Sequence, residues 1–147
     1  MTNSNGSGPD LHVEPTRAQI ERLLGAGTEG PVTMLNLLRY KDLADYSKCP
    51  ELAPEATISG REAYESYSLG VLPILAELGA EVLLFGPCHP TLIGPETEAW
   101  DDIALIRYPG VDSFISMTTS EDYLAIGGHR NAALADSRLV PTGAVAP

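Results

Sequence analysis

Three segments of the sequence are apolar at successive positions, and this pattern constrains the fold more than any other feature. They are VTMLNLL at 32–38, VLLF at 82–85 and IALI at 103–106. Because successive residues of a β-strand point to opposite faces of a sheet, such segments predict strands that are buried on both faces. The sheet that they form must therefore be covered on both sides.

Helix signals separate the predicted strands. The segment SGREAYESY begins with a capping box, formed by Ser59 and Glu62, and apolar residues then recur at helical spacing. The segment after the third strand predicts one helix and a further helical segment, with breaks around Thr119 and at Gly127-Gly128. We therefore expect helical connections between the first and second strands and between the third strand and the last.

The order of the elements predicts the fold class. After a leading helix in PTRAQIERLLGAG, the order is strand, helix, strand, strand, helix, strand, with SRLVPTG as a short last strand. This order predicts an α+β, ferredoxin-like βαββαβ sandwich with an extra N-terminal helix, in which the helices cover one face of an antiparallel sheet. We expect one such domain at residues 15–147 and a flexible tail at residues 1–14.

The second face of the sheet needs its own cover. Two helices cover one face only, and an open apolar face of this size is unfavourable in a soluble monomer. An identical subunit placed by two-fold symmetry supplies a cover without any other partner. The sequence therefore predicts a homodimer, packed sheet to sheet as a dimeric α+β barrel.

The charge of the chain excludes several classes of partner. Nine basic and twenty acidic residues give a net charge of −11, which repels phosphate backbones and anionic lipids. No apolar run reaches the roughly 18 residues of a membrane span, and MTNSNGSGPD lacks the features of a signal peptide. We expect a cytoplasmic protein with no nucleic-acid or membrane partner.

The sequence shows no motif for a metal or a cofactor. Cys49 and Cys88 have no metal-ligand spacing, and the chain has no phosphate-binding glycine loop, HExxH or GxSxG. We therefore expect no bound metal and no cofactor.

Several segments together resemble a known family. They are MLNLLRYKD, SGREAYESY, LIGPETEAWDDIALIRYP and SEDYLAIGGHRNAALADSRLVPT, which span about residues 31–142. In this order they resemble the domain-of-unknown-function family 1330, which belongs to the class of dimeric α+β barrels. The resemblance implies the ferredoxin-like fold and the dimer. It implies no single activity, because the wider class includes cofactor-independent monooxygenases, isomerases, haem-degrading enzymes and ligand-sensing modules.

Asn36 is the first candidate for a functional side chain. It interrupts an apolar strand, where an unpaired buried amide costs roughly 1–3 kcal/mol. One interpretation is a structural amide bonded to the long loop at 41–58. The other is an amide that orients a small ligand in an apolar pocket between the sheet and its covering helices or loops.

His129 and Arg130 are the other candidate catalytic residues. A histidine near a helix end is a possible general base or hydrogen-bond donor, and an arginine can bind a carboxylate through two hydrogen bonds. The alternatives are an exposed histidine and an arginine paired with an acidic neighbour.

Tyr64, Tyr67 and Trp100 are candidate ligand-binding residues. The two tyrosines lie three residues apart on one predicted helix, and Trp100 opens the third predicted strand. Core packing is the alternative for all three.

Three functions remain open at this level. The first is a cofactor-independent enzyme, isomerase- or monooxygenase-like, acting on a hydrophobic small molecule through Asn36, His129 and Arg130. The second is a non-catalytic ligand-binding or dimerisation module that uses the same pocket. The third, a haem-binding or haem-degrading protein, rests on Asn36, Trp100 and His129.

Overall fold

The computed structural model describes residues 11–26 and 29–143. Its elements are α1 (Arg17–Gly25), β1 (Val32–Tyr40), α2 (Gly60–Leu78), β2 (Glu81–Pro87), β3 (Asp102–Tyr108), α3 (Val111–Thr118), α4 (Glu121–Ala133) and β4 (Leu134–Thr142). A short 3-10 helix, Pro50–Leu52, interrupts the loop between β1 and α2. Among the described residues, no helix is both long enough and apolar enough to cross a membrane.

The four strands form one antiparallel sheet in the order β2-β3-β1-β4. This is the strand order of the ferredoxin-like βαββαβ fold, so the predicted fold class is confirmed. The central strands are β1 and β3, and Asn36 on β1 lies opposite Ala104 on β3 and Leu139 on β4. β4 is an edge strand, as the Pro141 in its sequence predicts.

The predicted helix caps are present. The hydroxyl of Ser59 accepts a hydrogen bond from the Glu62 backbone N–H at 3.0 Å, and the Glu62 side chain accepts one from the Ser59 backbone. Gly79 ends α2 in the left-handed conformation, with a φ of 86° that favours glycine. These local signals explain why the boundaries of α2 could be read from the sequence.

The predicted break at Gly127-Gly128 is wrong, because α4 continues through both glycines to Ala133. The break near Thr119 is confirmed, since α3 ends at Thr118. A methyl group on Gly128 would lie 2.7 Å from Leu52 and 2.8 Å from the sulfur of Cys49. Glycine at this position therefore allows the 41–58 loop to pack closely against α4. This packing outweighs the low helix propensity of glycine.

The two faces of the sheet differ in their cover. Val32, Met34 and Leu38 point to the helices and are fully buried in the core. The opposite face, here called the outer face, carries apolar side chains that no element of the described chain covers. They are Leu35, Leu37, Leu84, Ile103, Leu105 and Val140.

The segment before α1 contacts the edge of the sheet. Residues 1–10 of the predicted tail lie outside the described residues, but residues 12 and 13 make specific hydrogen bonds. The His12 backbone N–H donates to Oδ1 of Asp136 at 2.9 Å, and the Ser137 hydroxyl donates to the His12 carbonyl. The described end of this segment is therefore held against β4.

Candidate functional site

A cavity of about 240 Å³ lies between the sheet and the helices α2, α3 and α4. One row of side chains, one from each strand, forms part of its floor. In register across the sheet, this row is Phe85, Ala104, Asn36 and Leu139. The other walls are mostly apolar or aromatic side chains from the helices and from β3.

Asn36 is buried, with 8% of its surface exposed, and its side chain lines the cavity. Within the described part of the chain, the structure shows no hydrogen bond to its amide group. A buried amide without a partner is unfavourable by roughly 1–3 kcal/mol. The amide group of Asn36 is therefore a buried polar group whose hydrogen-bonding capacity the described residues do not use.

Four tyrosines bring hydroxyl groups to the cavity: Tyr64, Tyr67, Tyr108 and Tyr123. The Tyr64 and Tyr67 rings lie 5.2 Å apart, and the Tyr67 and Tyr123 hydroxyls are 3.1 Å from each other. Burial raises the pKa of Tyr64 to about 12 and raises the pKa of Tyr67 well above its usual value. The hydroxyls of Tyr64 and Tyr67 are therefore protonated at neutral pH and act as neutral hydrogen-bonding groups.

Arg130 brings a positive charge to the same cavity. It lies in the last turn of α4, and its Nη1 donates a hydrogen bond to the Val13 carbonyl at 2.9 Å. Its charge also acts on Tyr64 and Tyr67, where it opposes the increase in pKa that burial causes. The guanidinium therefore lies close to the tyrosine hydroxyls of the cavity.

His129 points away from the cavity, although it is adjacent to Arg130 in sequence. Its Nδ1 lies 2.7 Å from the Tyr46 hydroxyl, and the two rings meet edge to face. Burial raises the pKa of Tyr46, so its hydroxyl stays protonated, and the tautomer of the imidazole decides which of the two groups donates. This hydrogen bond attaches the 41–58 loop to α4.

The titration of His129 gives a testable pH dependence. Burial lowers its pKa in the folded protein below the unfolded value of about 6.5, so the unfolded chain binds the proton first as the pH falls. The stability contribution of His129 is therefore complete above pH ~6.5 and decreases as the pH falls toward the folded pKa. In urea unfolding, we expect the advantage of the wild type over His129→Gln to shrink between pH ~7.5 and ~5.5. An advantage that is equal or larger at the lower pH would contradict this.

Trp100 also lies outside the cavity. Its ring packs against the guanidinium groups of Arg39 and Arg138, at 5.1 and 4.9 Å from the ring centre. Both arginines lie on the outer face with Leu37. Arg39 is two residues after Leu37 on β1, so the two side chains point to the same face, and Arg138 on β4 pairs directly with Leu37. The structure therefore brings Asn36, Tyr64, Tyr67 and Arg130 together and places His129 and Trp100 elsewhere.

Tyr108 and Tyr123 are lining residues that the sequence interpretation missed. Tyr108 lies four residues after Ala104 on β3, so strand alternation alone predicts that both point to the helix face. Tyr123 could not be found in this way, because its direction depends on how α4 packs against α2.

The fold and the cavity define a ferredoxin-like α+β protein with a pocket between its sheet and its helices. The chain belongs to the family described as "Domain of unknown function (DUF1330)", which residues 53–142 match. Tyr64, Tyr67 and Arg130 lie within the matched region, whereas Asn36 precedes it.

Crystal structures of related proteins show the same fold. A protein of unknown function from Rhodopseudomonas palustris is 33% identical, over 93% of this chain and 99% of that one, with a TM-score of 0.83. The methylated form of that protein is 32% identical over 95% and 98% of the two chains, with a TM-score of 0.84. No functionally curated protein matches the chain.

Proposed function

We propose that the protein binds a small, largely apolar molecule in the cavity above Asn36. The observation that carries this proposal is the Asn36 amide, which is nine-tenths buried, lines the cavity and has no partner among the described residues. Native proteins pair nearly all of their buried polar groups, and the exceptions are commonly groups with a functional role. A ligand carbonyl or hydroxyl would satisfy this amide.

The size of the cavity limits the ligand. An apolar cavity of about 150 Å³ accommodates benzene. A cavity of about 240 Å³ therefore fits an aromatic ring or a branched aliphatic group with a short polar substituent, a molecule of about ten non-hydrogen atoms. The aromatic side chains of Tyr64, Tyr67 and Phe85 form walls that pack well against either an aromatic ring or an aliphatic group of the ligand.

The chemistry of the lining favours binding over proton transfer. Its polar groups are an amide, a guanidinium and protonated hydroxyls, which orient a ligand but do not readily remove a proton at neutral pH. The isomerase-like hypothesis needed a base such as His129, which bonds to Tyr46 instead. The haem hypothesis needed Asn36, Trp100 and His129 in one site, and they lie in three different places. We therefore favour a ligand-binding module.

We also propose that two copies of the chain associate through the outer faces of their sheets. Leu84 and Val140 on this face are each 48% exposed in the single chain. They flank partly buried apolar side chains of the central strands, Leu35 and Leu105 among them. A continuous apolar surface of this kind is typical of a homodimer interface. The cavity lies on the opposite face of the sheet, so dimerisation leaves it free for a ligand.

Filling the cavity tests the proposed binding function. Small neutral and charged molecules of about ten non-hydrogen atoms can be screened by saturation-transfer NMR and then titrated by calorimetry. Ala104 is 3% exposed and lies between Asn36 and Phe85 on the cavity floor, so Ala104→Leu should occupy the space of the ligand. We expect at least one molecule to bind the wild type and to lose its affinity in this variant.

The matched control is Ala76→Leu, the same substitution at an exposed position of α2. It should bind the same molecules as the wild type does. A complete absence of binding to the wild type, or equal binding to Ala104→Leu, would contradict the proposed function.

A further inference from the structure

The charge inside the cavity restricts its ligand further. Among the described residues that line the cavity, Arg130 is the charged one, and no carboxylate is present there. Other basic side chains of the described residues do form ion pairs with carboxylates. They include those of Arg17, Lys41, Arg61, Arg107 and Arg138.

Arg130 has no carboxylate partner among the described residues, although acidic residues outnumber basic ones by twenty to nine in the chain. A guanidinium has five N–H donors, and the Val13 carbonyl accepts from Nη1. The rest of the cavity lining is uncharged, and the Tyr64 hydroxyl lies near the guanidinium. A positive charge in such an apolar site favours an anion.

We infer that the ligand of this cavity is a hydrophobic carboxylate whose anionic group binds Arg130. This inference rests on the proposed function and names the class of its ligand. The guanidinium fork matches a carboxylate in geometry, and the low polarity of the surrounding aromatic walls strengthens the charge-assisted hydrogen bonds. The apolar body of the ligand fills the space between α2 and the cavity floor. Asn36 supplies a neutral hydrogen bond that orients this body.

The overall charge of the protein makes Arg130 important for selectivity. A surface with a net charge of −11 repels anions in general, so an anionic ligand needs a local positive group to bind. Neutral molecules of the same shape lack the charge-assisted contact with the guanidinium. The cavity should therefore discriminate between an acid and its amide.

Phenylacetate and phenylacetamide test the inference, because they have the same shape and differ in charge. In calorimetric titrations at low ionic strength, we expect the wild type to bind phenylacetate at least about tenfold more tightly. Arg130→Gln should abolish this preference. Arg130→Lys should keep part of it, because lysine retains the charge but not the fork. Arg22→Gln, at an exposed position of α1, makes the same change in net charge and should keep the full preference.

The outcomes separate the inference from the proposed function. Equal affinity of the wild type for the acid and the amide overturns the inference and leaves the cavity as a binding site for neutral molecules. If Arg130→Gln keeps the tenfold preference for phenylacetate, the anion binds at another site, and this result also overturns the inference. Binding of neither molecule at concentrations of about 10 mM, roughly the weakest affinity such a fragment can show, overturns the inference and counts against the proposed function. Thermal unfolding of each variant confirms that the comparison is made on folded protein.

Discussion

Replacing Gly60 with alanine should remove a large part of the stability of the protein. A methyl group at this position would lie 2.3 Å from the Lys41 carbonyl oxygen and 2.6 Å from the Ala133 carbonyl oxygen. Both atoms belong to the backbone, and Gly60 also donates a hydrogen bond to Lys41 at 3.0 Å. The end of β1, the start of α2 and the end of α4 meet here, so none of the three can move alone. We expect a loss of about 4 kcal/mol or more, out of a typical total of 5–15 kcal/mol.

Urea unfolding monitored by circular dichroism measures this loss. The matched control is Gly25→Ala at the end of α1, where a methyl group would meet no atom within 4 Å. Gly25→Ala should be neutral or slightly stabilising, because alanine reduces the freedom of the unfolded chain. A Gly60→Ala protein whose stability is within about 1 kcal/mol of the control would show that the junction is not as closely packed as described.

Introducing a carboxylate in the centre of the outer face should separate the proposed dimer. Leu35 lies on β1 and pairs with Leu105 on β3 and Val140 on β4, which places it in the middle of this face. In a two-fold interface, Leu35→Asp would bury two unpaired charges, at a cost of several kcal/mol. We expect a weakening of association by more than about a thousandfold.

Sedimentation equilibrium at micromolar concentration distinguishes the two states. The wild type should have twice the chain mass of 15.6 kDa, and Leu35→Asp should have the single-chain mass with unchanged helical content. Leu69→Asp is the matched control, because Leu69 lies on α2, away from the outer face, and is 76% exposed. This control should remain a dimer. A monomeric wild type, or a dimeric Leu35→Asp protein, would contradict the proposed interface.

The fold was largely predictable because its determinants are local. The apolar strands, the Ser59–Glu62 capping box and Gly79 each act within a few residues, and together they give the element order. The exceptions were α4 and the start of β4, which begins at Leu134 and not at Ser137. Glycine at positions 127 and 128 predicts a break by propensity, but the contact of Gly128 with Cys49 and Leu52 depends on a loop that is distant in sequence. No local pattern contains that information.

The site was only partly predictable for a related reason. Asn36 was identifiable because an amide in an apolar strand is unfavourable unless something uses it. His129 and Arg130 were equally plausible in the sequence, since neighbouring residues on a helix point about 100° apart. Which of the two faces the cavity depends on the rotation of α4 about its axis. Only the packing of α4 against α2 determines that rotation.

The proposed function requires that the Asn36 amide is kept for a ligand and not for the fold. The free energy of unfolding of Asn36→Leu in the absence of ligand tests it most directly. Leucine removes an unpaired amide and adds apolar contact with the cavity walls, so we expect stabilisation by about 1 kcal/mol or more. Asn36→Ala should be close to neutral. A loss above about 2 kcal/mol in either variant would show that the amide has a structural partner in the folded protein and is not kept for a ligand.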